Sequence, residues 1–123
     1  MKDIVLVHSN PKLSEIYHNR LKHDFRVHRA FDGISGLRLV RQHMPQMLVA
    51  EHELPWLSGL GLLKFVRQHQ ALSAIPVIII SPEPPDKSAL SLGANDWVRP
   101  KEVSVDELVK KIYFHLLTEK LSK

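Results

Sequence analysis

Three apolar runs, Ile4-Val5-Leu6-Val7, Met47-Leu48-Val49-Ala50 and Val77-Ile78-Ile79-Ile80, restrict what this chain can fold into more than anything else in it. None of them alternates apolar with polar residues. Each therefore reads as a strand buried on both faces, the condition of a parallel sheet covered by helices. Two weaker strands flank them. Phe25 to Arg29 sets Phe25 and Val27 between basic residues, and Asp96 to Arg99 centres on Trp97-Val98, so each has one wetter face.

Helical patterns fill the gaps. Leu13, Ile16, Tyr17 and Leu21 form a stripe behind an Asn10 cap and an N1 proline, Pro11. Ile34, Leu37 and Val40 form a second stripe after Asp32-Gly33, and Leu62, Leu63 and Val66 a third after Ser58-Gly59. The last runs through Leu108, Ile112 and Leu116, with Leu117 beside them, and opens on Ser104-Val105-Asp106-Glu107, the spacing of a capping box. Between these, Pro82, Pro84 and Pro85 delay any helix until Asp86, and Gly93 ends it after Leu92. Alternating strands and helices imply right-handed crossovers and helices on both faces of one sheet.

Residues 1–123 are expected to form one domain, long enough to bury its core without staples. The absence of cysteine excludes disulfides and thiolate chemistry and suits a reducing cytoplasm. The start, Met1-Lys2-Asp3-Ile4, has no signal-peptide architecture, and no apolar stretch reaches the roughly 20 residues that span a bilayer. A cytoplasmic protein without membrane contact is the expectation. The net charge of +4 raises nucleic-acid binding as a function. The basic residues are scattered, however: Arg20, Lys22, Arg26, Arg29, Arg38 and Arg41 lie early, and Lys110, Lys111, Lys120 and Lys123 lie late. No cluster alternates with aromatic residues, so a solvated basic surface is the expectation and nucleic acid is not an expected partner.

In order along the chain stand Leu6-Val7 followed by His8, Ser9 and Asn10-Pro11; Ala30-Phe31-Asp32-Gly33; Pro45-Gln46-Met47-Leu48-Val49; Leu54-Pro55 with Gly59; Ile75-Pro76-Val77-Ile78-Ile79-Ile80-Ser81; and Gly93-Ala94-Asn95-Asp96-Trp97-Val98. With these features the chain resembles the receiver domain of two-component response regulators over nearly its whole length. The resemblance implies a flavodoxin-like α/β/α sandwich, with a five-stranded parallel sheet of order 2-1-3-4-5 flanked by five helices.

It also implies a site. Receiver domains accept a phosphoryl group on an aspartate ending the third strand. Acids after the first strand help hold Mg²⁺, and a Ser or Thr after the fourth strand and a Lys near the fifth contact the phosphoryl oxygens. The transition state needs a metal and a cation around its equatorial oxygens. Here the acceptor position is Glu51, one methylene longer than aspartate. The acidic-pocket positions are His8, Ser9 and Glu53, and His8 and Ser9 bring no carboxylate. Ser81 keeps the Ser/Thr position, Trp97 takes the switch aromatic, and the Lys-Pro pair becomes Arg99-Pro100-Lys101, so Arg99 or Lys101 stands in for the lysine. Magnesium binding is expected to be absent or weak, and no other cofactor is implied.

Each of these residues also has a plainer reading. Glu51 imitates a phosphorylated acceptor near Ser81, or its carboxylate simply reaches solvent; the two readings stand side by side. His8 pairs with Glu51, which would raise the imidazole's pKa, or is a partly exposed neutral histidine, the slightly favoured reading. A transition-metal cluster of His8, Glu51, His52 and Glu53 fails if strand alternation turns His52 away from Glu51. Trp97 is a partner-facing anchor or packs inward, and the prolines after Ser81 suggest a frozen switch. The expected function is an atypical receiver, not an enzyme, working by protein–protein contact without phosphorylation. That contact would run through the α4–β5–α5 face, with a homodimer as one form of it. The alternative is a working phospho-acceptor that uses Glu51.

Overall fold

The structure, a computed structural model, describes residues 1–121; Lys123 and the side chain of Lys120 lie outside the described residues. Five strands, β1 (Lys2–Val7), β2 (Phe25–Ala30), β3 (Met47–Glu51), β4 (Val77–Ile80) and β5 (Asp96–Val98), form one sheet. Its order is β2-β1-β3-β4-β5, and every pair is parallel. Between and after them lie α1 (Pro11–Leu21), α2 (Gly33–His43), α3 (Gly59–Gln68), α4 (Lys87–Ser91) and α5 (Val105–Leu121). The expected flavodoxin-like topology is present.

The apolar runs are covered on both faces, as their lack of alternation required. Ile4, Leu6, Met47, Val49, Ile78 and Ile80 face one core with α1 and α5. Val5, Val7, Leu48, Ala50, Val77 and Ile79 face the other with α2 and α3. Each fully buried aliphatic side chain contributes about 1.5–3 kcal/mol, so these runs dominate stability.

Helix boundaries follow their caps. The Asn10 side chain accepts from the N–H groups of Lys12 and Leu13 with Pro11 at the first turn. The Ser104 hydroxyl accepts from Glu107 N–H, and the Glu107 carboxylate accepts from Ser104 N–H in return, completing the capping box. Three helical stripes differ from their sequence patterns. In α1, Ile16 is exposed while Ser14 is buried, its hydroxyl accepting from Arg29 Nε at 2.9 Å. In α2 the buried face is Gly33, Gly36 and Val40, and Ile34 points outward. Gly36 sits there because Val7 presses so close that a Cβ would meet it at 2.7 Å. In α5, Leu108, Ile112 and Leu116 are buried and Leu117 is exposed.

Candidate functional site

The sheet order reverses direction between β1 and β3, and in open α/β sheets the crevice beyond the strand ends at that point receives the chemistry. The register aligns the carboxyl ends: Val7 pairs with Ala50, Glu51 with Ile80, and Ile80 with Val98. His8, Ser9, Glu51, Ser81 and Arg99 therefore emerge side by side along one edge of the sheet.

Glu51 turns towards β1. Its Oε1 accepts from Ser9 N–H at 2.8 Å and from Ser9 Oγ–H at 2.6 Å. Its Oε2 lies 3.6 Å from His8 Nε2, and its side chain is 20% exposed. The Ser81 hydroxyl is fully buried and accepts from Glu83 N–H at 3.1 Å. The charge of Glu51 is thus directed at the β1–α1 loop, and no hydrogen bond joins it to Ser81 among the described residues.

His8 is 3% exposed, not partly exposed as the sequence suggested. Its Nδ1 accepts from Asn10 N–H at 3.1 Å, which leaves the ring proton on Nε2 facing Glu51. Burial pushes the imidazole's pKa below its usual value, and the nearby Glu51 carboxylate only partly counters this. The rise that pairing would bring does not occur, because desolvation outweighs a carboxylate 3.6 Å away; the neutral imidazole slightly favoured from the sequence fits, although it is buried rather than partly exposed. Tyr17 packs beside His8 with ring centroids 6.1 Å apart, and its phenol is pushed up, first by burial and then by Glu51.

The other site residues disperse. His52 turns away from Glu51, as alternation required, and its ring lies 5.6 Å from that of Trp97. Its Nδ1 is buried without a hydrogen-bond partner. Glu53 is exposed. Trp97 is half-buried against the α2–α3 side of the core, and its Nε1–H donates to Glu83 O at 2.8 Å. Arg99 donates to Pro82 O at 3.2 Å and pairs with Glu102 at 2.9 Å, while Lys101 is exposed. Neither cation makes an ion pair or hydrogen bond with Glu51 among the described residues. Trp97 and Arg99 instead clasp the loop after Ser81 from the β5 side.

A magnesium ion, which the resemblance implies, calls for several hard anionic oxygens in octahedral array. The residues present supply one carboxylate, already held by Ser9, one hydroxyl that donates to it, and an imidazole. That donor set does not fit the ion. Among the described residues, no group of three or more His, Cys, Asp or Glu side chains is arranged to hold a metal.

Sequence reasoning passed over Trp56. It is 84% exposed and has φ +73, in the left-handed region, where a bulky residue costs roughly 1–2 kcal/mol. Leu57 N–H donates back across it to Pro55 O at 2.9 Å, so Trp56 is the central residue of a γ-turn of the positive-φ kind, a rare and strained form that no sequence pattern announced.

The response regulator receiver domain family matches residues 4–113. An uncharacterized transcriptional regulatory protein of Bacillus subtilis, YcbL, is 33% identical over 112 residues, covering 88% of this chain and 48% of that protein. The chain thus spans about half the length of that relative. Among solved structures, the chemotaxis response regulator CheY4 of Vibrio cholerae superposes with a TM-score of 0.83 at 19% identity, over 92% of this chain and 97% of that one. The receiver domain of a Pseudomonas aeruginosa sensor histidine kinase, described with a magnesium ion in its active-site cleft, gives 0.79 at 22% identity over 94% and 97%. At such identities these two likenesses speak for the fold alone.

Proposed function

This chain belongs to the response regulator receiver domain family of two-component signalling, and from that premise we propose that it signals by protein–protein contact without accepting a phosphoryl group. The observation that carries this reading is the tether of Glu51 to Ser9, by both the N–H and the hydroxyl. The carboxylate at the acceptor position is occupied as a structural acceptor. The positions that would bring magnesium ligands hold a buried neutral imidazole and the serine that donates to Glu51. A metaphosphate-like transition state would find neither metal nor cation around its oxygens.

The loop after Ser81 supports the same reading. Trp97 and Arg99 both donate to its backbone, at Glu83 O and Pro82 O, and the Ser81 hydroxyl accepts from Glu83 N–H. In this reading the α4–β5–α5 face keeps one arrangement. Leu90 on α4 and Phe114 and Leu117 on α5 are exposed there and suit a protein partner or a second copy. No described helix is long and apolar enough to cross a membrane, which agrees with the proposed cytoplasmic setting.

The test is incubation with Mg²⁺ and acetyl phosphate, or with beryllofluoride, followed by intact-mass measurement and Trp97 fluorescence. No mass shift and no magnesium-dependent fluorescence change are expected. A phosphoryl adduct on Glu51 would overturn the reading.

A further inference from the structure

We propose that His28 and His43 form a proton-operated latch, which holds the last turn of α2 against β2 while at most one ring is charged and releases it when both are. The latch lies at the amino ends of the strands, opposite Glu51, so it acts independently of the acceptor position.

The geometry is a direct side-chain link between helix and strand. The two rings lie face to face, with centroids 3.6 Å apart and planes 14° from parallel. His28 belongs to the edge strand β2, and His43 is the final residue of α2. The stack sits where α2 otherwise has a weak finish. Met44, the next residue, is exposed and takes φ +44, a conformation that favours glycine. Parallel rings aim their nitrogens along parallel planes and not at a common point, which selects a proton over a metal ion as the input.

Each ring by itself is placed to welcome a proton. His28 Nε2 lies 2.8 Å from Asp3 Oδ1, and the Asp3 carboxyl is held below the usual carboxylate range, first by this hydrogen bond. That carboxylate takes the Nε2 proton and leaves Nδ1 of His28 to receive the next one. His43 stands at the carbonyl end of α2, where the helix dipole favours a cation. Two imidazolium rings at stacking distance repel, however, so the first proton enters easily and the second must part the rings.

The surrounding groups do not relieve that repulsion. Arg26, from β2, already occupies Asp3, with Nε 3.0 Å from Oδ1 and Nη2 3.3 Å from Oδ2. It also donates to Met1 O, so the amino-terminal residue lies at this end too. Arg41 adds positive charge on the exposed side of the last turn of α2, and Lys2 alternates to the other face of β1. The α2–β3 link brings the neutral Gln46, whose Oε1 accepts from Asp3 N–H and whose N–H donates to Asp3 O. Those two bonds hold the link on β1 whatever the rings do, which confines the opening to the end of α2.

The test follows amide protection factors of the full chain by NMR from about pH 8 to about pH 5, a range that spans imidazole titration. On acidification, protection at Gln42, His43 and Met44 should fall about tenfold or more while β1 and β3 hold theirs. His43→Phe, which keeps a ring on His28 but takes up no proton, should hold protection constant across the range. His43→Gln, which removes the ring, should show low protection at both ends. Constant protection in the native chain, an equal acid loss in His43→Phe, or a loss spread evenly over the sheet would each overturn the latch. The last would point to the buried His8 instead. A phosphoryl adduct on Glu51 would sink the preceding reading and leave this one standing, so the two fail separately.

Discussion

At the scale of single residues, one methylene separates an aspartate from the glutamate at position 51, whose carboxylate is held by Ser9. From sequence the longer side chain either sat near Ser81 or simply reached solvent, and its hold on Ser9 was not foreseen. The Ser9 N–H and hydroxyl, two donors on one residue, decide it. His8 was legible as the wrong ligand but not as a buried one, because its cover comes from Tyr17 on a different element. That burial has a pH signature. With its folded-state pKa depressed, His8 takes up a proton more readily in the unfolded chain, so its contribution to stability holds above about pH 6.5 and is lost as pH falls. Urea unfolding across this range should show a shallower acid-side decline in His8→Gln than in the native protein. Because Glu51 draws the His8 pKa upward against burial, Glu51→Gln should move its NMR midpoint lower still. An unchanged midpoint would mean that the two groups do not sense each other.

At the scale of elements, strands were the most readable part, because a four-residue apolar run has few uses other than burial on two faces. Helix caps were readable for a similar local reason, as Asn10-Pro11 and Ser104 with Glu107 show. Helix faces were less so. The buried face of α2 joins Gly33 and Gly36, which carry no apolar signal, to Val40, with Leu37 packed against the same core, whereas Ile34 pulled the pattern to one side. Arg67 was not legible at all, since its partners lie 6 to 28 residues away. From the end of α3 its guanidinium donates to the carbonyls of Ser73, Ile75 and Gly93 and to the Asn95 side chain. It thereby fastens α3 to both ends of the segment carrying β4 and α4. Hydrogen bonds from a charged donor are worth roughly 1.5–3 kcal/mol each at best, less where water competes. Arg67→Met should cost about 2 kcal/mol. It should also raise amide hydrogen exchange in α4 and β5 well before β1 and β3, and uniform loss of protection would contradict the fastening role.

At the scale of the whole molecule, the family scaffold is intact while its chemical pocket is altered, so carboxylates put back into the pocket should find a competent frame. The pair Ser9→Asp with Glu51→Asp would return hard oxygens to the ends of β1 and β3. Without metal, the added like charges should lower stability. With magnesium a hundredfold above its dissociation constant, about 2.7 kcal/mol should be recovered, visible as a metal-dependent melting temperature that the native chain lacks. Calorimetry showing equal uptake by both proteins would mean the native pocket already holds the ion. The sheet order carries a different consequence, for the order of events during synthesis. The first strand made occupies an inner lane, and its partners arrive late: Lys2 waits for Phe25, and Ile4 for Met47. Until then Ile4 to Val7 present two bare edges and two greasy faces. Parallel pairings at such separations form slowly. The nascent amino-terminal third is therefore where a chaperone would be needed, and where overproduction should first turn to inclusion bodies.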